Sequence, residues 1–318
     1  MTGPIKRFLV QTNMFQVCYA LVPSAVASVY FFGWRAFMLL VVSLAVGAAT
    51  EAVFVFREGK PVTSAVLVTA MIFALSLPPT LPFWMAALGV VVAVALGKMA
   101  FGGLGMNIFN PAMVGRCFLY VAFPIQMTNR WTEPFSSGAG FGAWAGGADA
   151  ITRATPLRVL RDGGTVPWFD LLSGATAGSA GETAAWLAIL GGVFLVIRKV
   201  APWRIPLACI GAAALTSELA GFFGSTALPG PAETLFSGSL LFGAAFVATE
   251  PITGAKTPEG QWIYGAGIGA VTVLFRGFSN FSEGVMFAVL LFNGLVPVLD
   301  RGVGGIQARR GRHAEAQA

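Results

Sequence analysis

The segment Asp170-Leu171-Leu172-Ser173-Gly174-Ala175-Thr176-Ala177-Gly178-Ser179 sets a threonine hydroxyl among residues with almost no side chain. Small neighbours on both sides would let a modifying enzyme close over that oxygen, and Gly178 keeps the chain pliable. The same residues also suit a plain turn between helices, and spacing alone leaves both readings open. A second stretch runs from Gly102 through Asn107, Asn110 and Pro111 to Arg116. Pro111 lacks an N–H and suits the first turn of a helix with Asn110 as its N-cap. Exposed N–H groups there could hold an anion, or the segment could simply finish a broken helix. A third set is acidic. Glu51 and Glu218 fall within or near the ends of apolar runs, while Glu250 and Asp300 lie close to the ends of others. Carboxylates in such places either pair or reach water at an interface, or they pass a cation or proton along a path. Glu51, Glu218 and Glu250 are the stronger candidates for ion coupling, because Asp300 can simply reach water.

Other chemistries find no residues. The single histidine, His313, sits in the polar tail, and Cys18, Cys117 and Cys209 stand singly in apolar runs without C-x-x-C spacing. No metal site, disulfide framework or one-chain iron–sulfur site is expected, and the cysteines read as small buried residues.

The elements that must carry these groups follow from composition. Hydrophobic residues make up 56% of the 318-residue chain and charged residues 11%, against about 25% charged in soluble proteins. So few charges cannot cover a water-facing surface, and an all-α integral membrane protein is expected. A bilayer core of about 30 Å takes roughly 20 apolar residues per helix. Ten spans fit, at about 14–34, 36–55, 62–77, 83–100 and 108–123, then 183–197, 205–223, 236–249, 262–275 and 285–299. Several are short and end in Gly or Pro clusters, which is tolerated where backbone lines a protein cavity. Ser24-Ala25-Val26-Ala27 faintly resembles a signal-peptidase site, but the apolar run continues through Phe32, so a retained first helix is expected.

Basic residues set the orientation. With both termini cytoplasmic, the inner side receives Lys6, Arg7, Arg57, Lys60, Lys98, Arg198, Lys199, Arg204, Lys256 and Arg301, whereas short outer loops receive only Arg35 and Arg276. The net charge of +6 is therefore topological and needs no nucleic-acid partner. Trp34, Trp84, Trp186, Trp203 and Trp262 fall near span ends, as an interfacial belt requires. Arg309, Arg310 and Arg312 read as a solvated anchor within reach of anionic membrane lipid.

The two halves resemble each other. Residues 74–80 (ALSLPPT) pair with 247–253 (VATEPIT), and 107–112 (NIFNPA) with 279–284 (SNFSEG), at offsets near 172–173. Residues 49–52 pair more loosely with 216–219. With five spans per half, the second copy enters from the opposite side, giving an inverted-topology repeat whose broken helices meet near the midplane. The expected organisation is a cytoplasmic segment 1–13, a five-helix repeat 14–123, an extracytoplasmic loop 124–182, a second repeat 183–299 and a cytoplasmic tail 300–318.

Asp170 through Ser179 resembles the D-x-x-S-G-A-T-x-x-S/T signature on which a flavin transferase attaches FMN through a threonine phosphoester. Gly102 through Arg116 is similar to the G-G-x-G-x-N-x-x-N-P-A-x-x-G segment of one membrane family. Ala248-Thr249-Glu250-Pro251-Ile252-Thr253, followed by Tyr264-Gly265 and Glu283-Gly284, resembles that family's A-T-D-P-V-T/S segment. The family is the RnfD/NqrB family, which comprises RnfD of the Rnf electron-transport complex and NqrB of the sodium-translocating NADH:quinone reductase. The resemblance covers about residues 14–300, and the short amino-terminal segment matches the Rnf member better. Position 250 departs from the pattern: Glu replaces Asp, moving the carboxylate by about an ångström.

The resemblance implies a fold similar to urea and ammonium channels. It implies FMN bound covalently to Thr176 within the Asp170, Ser173, Gly174, Ala175 motif, and in relatives a noncovalent riboflavin. Asn107 and Asn110 are candidates for holding the polar part of a flavin. It implies a multi-pass protein of the bacterial inner membrane, matured by a flavin transferase. Its expected partners are other Rnf-type subunits that carry flavins, iron–sulfur clusters and the NAD(H) and ferredoxin sites. Electron flow through the assembly would be coupled to Na⁺ or H⁺ transport, so enzyme status belongs to the complex, and the chain alone should catalyse little. Two other readings stand beside it: a quinone-reducing NqrB-type component, and a non-redox solute channel on the same fold.

Overall fold

The computed structural model describes residues 8–128, 131–135, 141, 155–162, 164–174, 176–181, 185–223, 228–279 and 284–317, with backbone only for Trp168 and 306–317. Helical segments occupy every stretch the apolar runs mark. The first half builds α1 (Thr12–Phe32), α2 (Trp34–Arg57), α3 (Ala65–Leu75), α4 (Phe83–Ala95) and α5 (Pro111–Ala122). Short helices α6 (Pro124–Thr128), α7 (Pro156–Arg161) and α8 (Trp168–Ser173) follow. The second half builds α9 (Ala185–Ile197), α10 (Arg204–Phe222), α11 (Pro231–Phe236), α12 (Leu240–Phe242), α13 (Pro258–Phe278) and α14 (Val285–Gln317). Five segments are long and apolar enough to cross a membrane: Thr12–Phe32, Trp34–Arg57, Phe83–Phe101, Arg204–Phe222 and Val285–Gly305. Two-residue strands β1 (Phe8–Leu9) and β2 (Val62–Thr63) pair in parallel and fasten the chain ahead of α1 to the entry of α3.

Prolines and caps cut several of these helices, at Asn110–Pro111 where the sequence predicts and at Thr257–Pro258 four residues ahead of the expected span, whereas Pro23 and Pro297 lie inside α1 and α14. Asn110 accepts from Met113 N at 3.3 Å with Pro111 at the first turn of α5, the N-cap arrangement that satisfies an orphan donor. Thr257 caps α13 in the same way, its hydroxyl accepting from Gly260 N at 3.2 Å ahead of the helix. Helix α3 stops before Ser76-Leu77-Pro78-Pro79, and α12 widens into a π-helical turn at Gly243–Val247 before Pro251. Proline has no N–H to continue an α-helical ladder, so both segments break inside the protein.

The freed carbonyls after each break are met by a cation. Arg35, at the start of α2, donates to Pro79, Thr80 and Leu81 carbonyls at 3.0–3.1 Å. Lys256 donates to Ile252 O at 2.8 Å and to Pro251 O. Such partners are what allow a broken helix inside apolar surroundings. Helices α2 and α10 pack against α4 and α13 respectively. One apolar core runs from Leu21 through Phe73, Val90 and Leu119 to Phe246, Ile268 and Val289.

Candidate functional site

Buried polar groups collect where the second broken segment meets the first half. Lys98, just beyond α4, is 2% exposed, and Glu51 on α2 is 1% exposed. The ammonium lies 2.6 Å from Glu51 Oε2 and donates to Thr63 Oγ1 at 2.8 Å. The other carboxylate oxygen, Oε1, accepts from the Thr63 amide at 3.0 Å and the Thr63 hydroxyl at 2.7 Å. The two buried charges therefore meet each other and a shared polar neighbour, as buried charges require. Sequence reasoning placed Lys98 among the inner topological charges and missed this pairing. The signal was a basic residue at the end of an apolar run, a half-buried candidate by the same rule that selected Glu51.

Lys98 also lines a cavity of about 30 Å³, shared with Asn107, Asn110, Thr249 and Glu250. That volume has room for a water or two. On its other flank Glu250 borders an open pocket of about 410 Å³ that Lys199, Trp203 and Lys256 also line. Thr253 Oγ1 donates to Glu250 Oε2 at 2.7 Å. Glu250 thus lines both spaces. Burial lowers the pKa of the Lys256 ammonium in the loop before α13, and the Glu250 and Asp300 carboxylates oppose that shift.

The two asparagines divide their work. Asn110 caps α5 and reaches across the halves, donating to Val247 O at 3.3 Å while its own amide donates to Asn293 Oδ1 at 3.0 Å. Asn293 in turn donates to Thr253 O at 3.3 Å and Tyr264 Oη at 2.7 Å. This network locks α5, α13 and α14 to the π-helical turn. Asn107 lies on the cavity wall and is 5% exposed. Its Oδ1 has no hydrogen-bond partner among the described residues.

The other acidic candidates lie elsewhere. Glu218 is exposed on α10, outside the cavity. Asp300 on α14 accepts from the Lys256 amide at 3.1 Å, the Thr257 amide at 3.1 Å and the Thr257 hydroxyl at 2.7 Å, which fixes the start of α13. Asp300→Ala should remove about 1.5–3 kcal/mol of charge-assisted bonding. The expected outcome is a lower melting temperature of the solubilised chain. Arg116 is buried on α5 at 2% exposure.

The threonine segment is held at the far end of α3. Helix α8 carries Asp170, with Ser173 Oγ donating to Asp170 O at 3.3 Å, and closes on Gly174 at φ 89°, a left-handed cap that glycine adopts without strain. Ala175 lies outside the described residues, as do Asn280, Phe281, Ser282 and Glu283 of the repeat and family segments. Thr176 is half-buried, whereas Ala177 through Gly181 are buried. Ala180 N donates to Leu77 O at 3.1 Å and Gly181 N to Leu75 O at 2.7 Å, satisfying carbonyls freed by the end of α3. The strap needs glycine: a Cβ on Gly181 would stand 2.6 Å from Leu75 Cβ. Gly181→Ala should loosen it, read as faster proteolysis between α8 and α9 in the detergent-solubilised protein.

A helical membrane protein with two broken segments, a sealed carboxylate–ammonium pair and a hydroxyl loop strapped to one break is the class these features define. The family model described as "NQR2, RnfD, RnfE family" matches residues 6–305, and the chain belongs to that family. It is 37% identical to the D subunit of the ion-translocating oxidoreductase complex of Aeromonas hydrophila subsp. hydrophila, over 91% of this chain and 92% of the relative. It is 37% identical to the protein of the same name from Stutzerimonas stutzeri, over 93% and 91%. It is 34% identical to the D subunit of the proton-translocating ferredoxin:NAD(+) oxidoreductase complex of Clostridium ljungdahlii, over 91% and 88%.

Proposed function

We propose that this chain is the membrane electron-transfer subunit of an Rnf-type ion-translocating oxidoreductase, carrying FMN on Thr176 and moving its coupling ion past Glu250. The observation that carries the reading is the placement of Thr176. This half-buried residue follows a left-handed turn and precedes a segment pinned to the end of α3. A flavin tethered there would keep a fixed distance to the helices, and the cofactor supplies the one-electron chemistry. Asp170 and Ser173 shape the turn that presents the hydroxyl. Riboflavin, where bound, and contacts to the Asn107 carboxamide are part of the same reading. NAD(H) and ferredoxin chemistry falls to partner subunits.

An inverted repeat of ten spans is part of this proposal, with both termini cytoplasmic and the Thr176 loop outside, in the bacterial inner membrane. Recurrent packing supports it. The α2–α4 pair encloses Glu51, Thr63 and Lys98, while the α10–α13 pair encloses Ser217, Thr234 and Arg276. In the second cluster Ser217 Oγ and Thr234 Oγ1 lie 3.0 Å apart, and Arg276 donates to Thr234 O at 2.7 Å. In the proposed orientation the cavity and its open neighbour face the cytoplasm. Glu250 then stands on the wall of both spaces.

Mass spectrometry of the complex from its native host tests the cofactor reading. The peptide spanning Asp170–Ser179 should carry FMN on Thr176. An unmodified peptide in a complex that still turns over would overturn it.

A further inference from the structure

We propose that Glu51 holds Lys98 away from Glu250, so that Lys98 is a tethered cation able to occupy the coupling carboxylate and shut the ion path. The inference rests on the reading of Glu250 as the coupling group and adds the residues that control access to it.

The charge count around the cavity points to it. Lys98 and Glu250 border one small space, and Glu51 is paired with the same lysine, so two carboxylates attend one buried ammonium. Thr63 binds both members of the present pair, through its hydroxyl to the ammonium and through hydroxyl and amide to the carboxylate. Two hydrogen bonds from Thr63 and one from the ammonium thus fix the Glu51 carboxylate toward Lys98. The hydrogen bonds to Glu250 come instead from neutral groups, the Thr253 hydroxyl on its Oε2 and the Asn107 carboxamide, with the Lys98 and Lys256 ammoniums acting on it only through space, and it lines the open pocket as well. Lys256 lines that open pocket too, but its ammonium donates to the Pro251 and Ile252 carbonyls, and no ion pair joins it to Glu250 among the described residues.

Lysine is the side chain suited to a switch. Its charge is a compact point on a flexible four-carbon stem with freely rotating donors. Inside a low-dielectric cavity an ammonium must stay near a carboxylate. If Glu51 loses its charge, the anion on the wall of the same cavity is Glu250. Lys98 would then compete with the transported ion for that carboxylate, and a covalently tethered competitor has a high effective concentration. The repeat-related cluster differs on this point, since Arg276 donates to backbone carbonyls of Thr234 and Ser237. A planar guanidinium spread over two carbonyls is a fixed brace.

The test is a pair of charge changes in the assembled complex, reconstituted in liposomes and driven by reduced ferredoxin with NAD⁺ as acceptor. Uptake is read with radioactive sodium and with a pH-sensitive dye. Glu51→Gln should slow ion uptake by at least about tenfold, within the range one coupling interaction spans. Adding Lys98→Met should restore uptake to within about threefold of the parent, because the tethered competitor is gone while no unpaired charge remains. A purely structural pair would also be relieved by the second substitution, but its Glu51→Gln complex would lose melting temperature and flavin content along with uptake. The latch slows uptake in a complex of parental melting temperature and flavin content, so a parallel loss of all three overturns the proposal.

Unimpaired uptake in Glu51→Gln, or failure of Lys98→Met to restore it, overturns the proposal. Should Glu51→Gln fail to assemble, Thr63→Val removes a ligand from both partners. It should slow uptake several-fold and be reversed by Lys98→Met, and a lack of reversal is equally fatal. Glu250→Gln run in parallel separates the two readings. Normal uptake there removes the coupling role of Glu250, whereas lost uptake there with normal uptake in Glu51→Gln removes only the latch.

Discussion

Thr176→Ala, expressed with a flavin transferase and run on a denaturing gel, should give a band of full intensity by protein stain and none by ultraviolet fluorescence. The loss should be complete, because the attachment oxygen is gone and no neighbouring hydroxyl can replace it. Ser179 is 1% exposed within the strap that pins the loop to α3. Ser173 closes the last turn of α8, its hydroxyl bonded to the Asp170 carbonyl. Neither presents a free oxygen at the position of Thr176, which is half-buried between a left-handed turn and the buried segment. Thr176→Val, which keeps the branched shape, should behave identically and separates chemistry from packing. A fluorescent band surviving in both variants would place the attachment elsewhere. A Thr176→Ser variant should retain some label, since the hydroxyl survives with one methyl fewer.

The second large effect is expected at Glu250. Glu250→Gln in the reconstituted complex should slow ion uptake while leaving the fluorescent flavin band unchanged. Losing one charge-assisted ligand is worth about 1.5–3 kcal/mol, so uptake should fall roughly ten- to hundredfold. The expectation follows from position: the carboxylate borders the cavity of about 30 Å³ on one flank and the more open pocket of about 410 Å³ on the other. Any cation passing between the two spaces meets it. Glu250→Asp keeps the charge and the type of residue the family segment carries, and should retain most of the uptake. Glu218→Gln serves as the comparison. Its side chain is exposed on α10, so uptake should stay at the parent level. Equal effects of the Glu250 and Glu218 changes would remove the basis for singling out the cavity.

How far the sequence reached depends on the range of the interactions involved. Helix breaks were legible because their causes are local. Pro78 and Pro79 end α3, and Asn110 with Pro111 starts α5, whereas the Thr257–Pro258 start of α13 lies four residues ahead of the span expected from 262. The Thr176 turn was legible for the same reason, as Gly174 supplies a left-handed cap directly after the last residue of α8. The carboxylates were legible as a set but not in their separate duties. Glu51, Glu218 and Asp300 each looked like a charge at the edge of an apolar run. One is sealed against Lys98, one faces outward, and one anchors the start of α13.

Membrane embedding and the breaks at Pro78–Pro79 and Asn110–Pro111 were determined by the sequence alone, while α14 runs past the expected end at 299 to Gln317. Run length, the shortage of charge and the missing proline N–H act within a few residues. Which polar groups meet was decided only by the tertiary structure. Lys98 and Glu51 stand 47 positions apart, and Asn110 and Asn293 stand 183 apart. The rotation of each helix about its axis fixes whether a side chain faces a partner, a cavity or the surface. That rotation is set by packing against distant helices, which no local pattern of residues records.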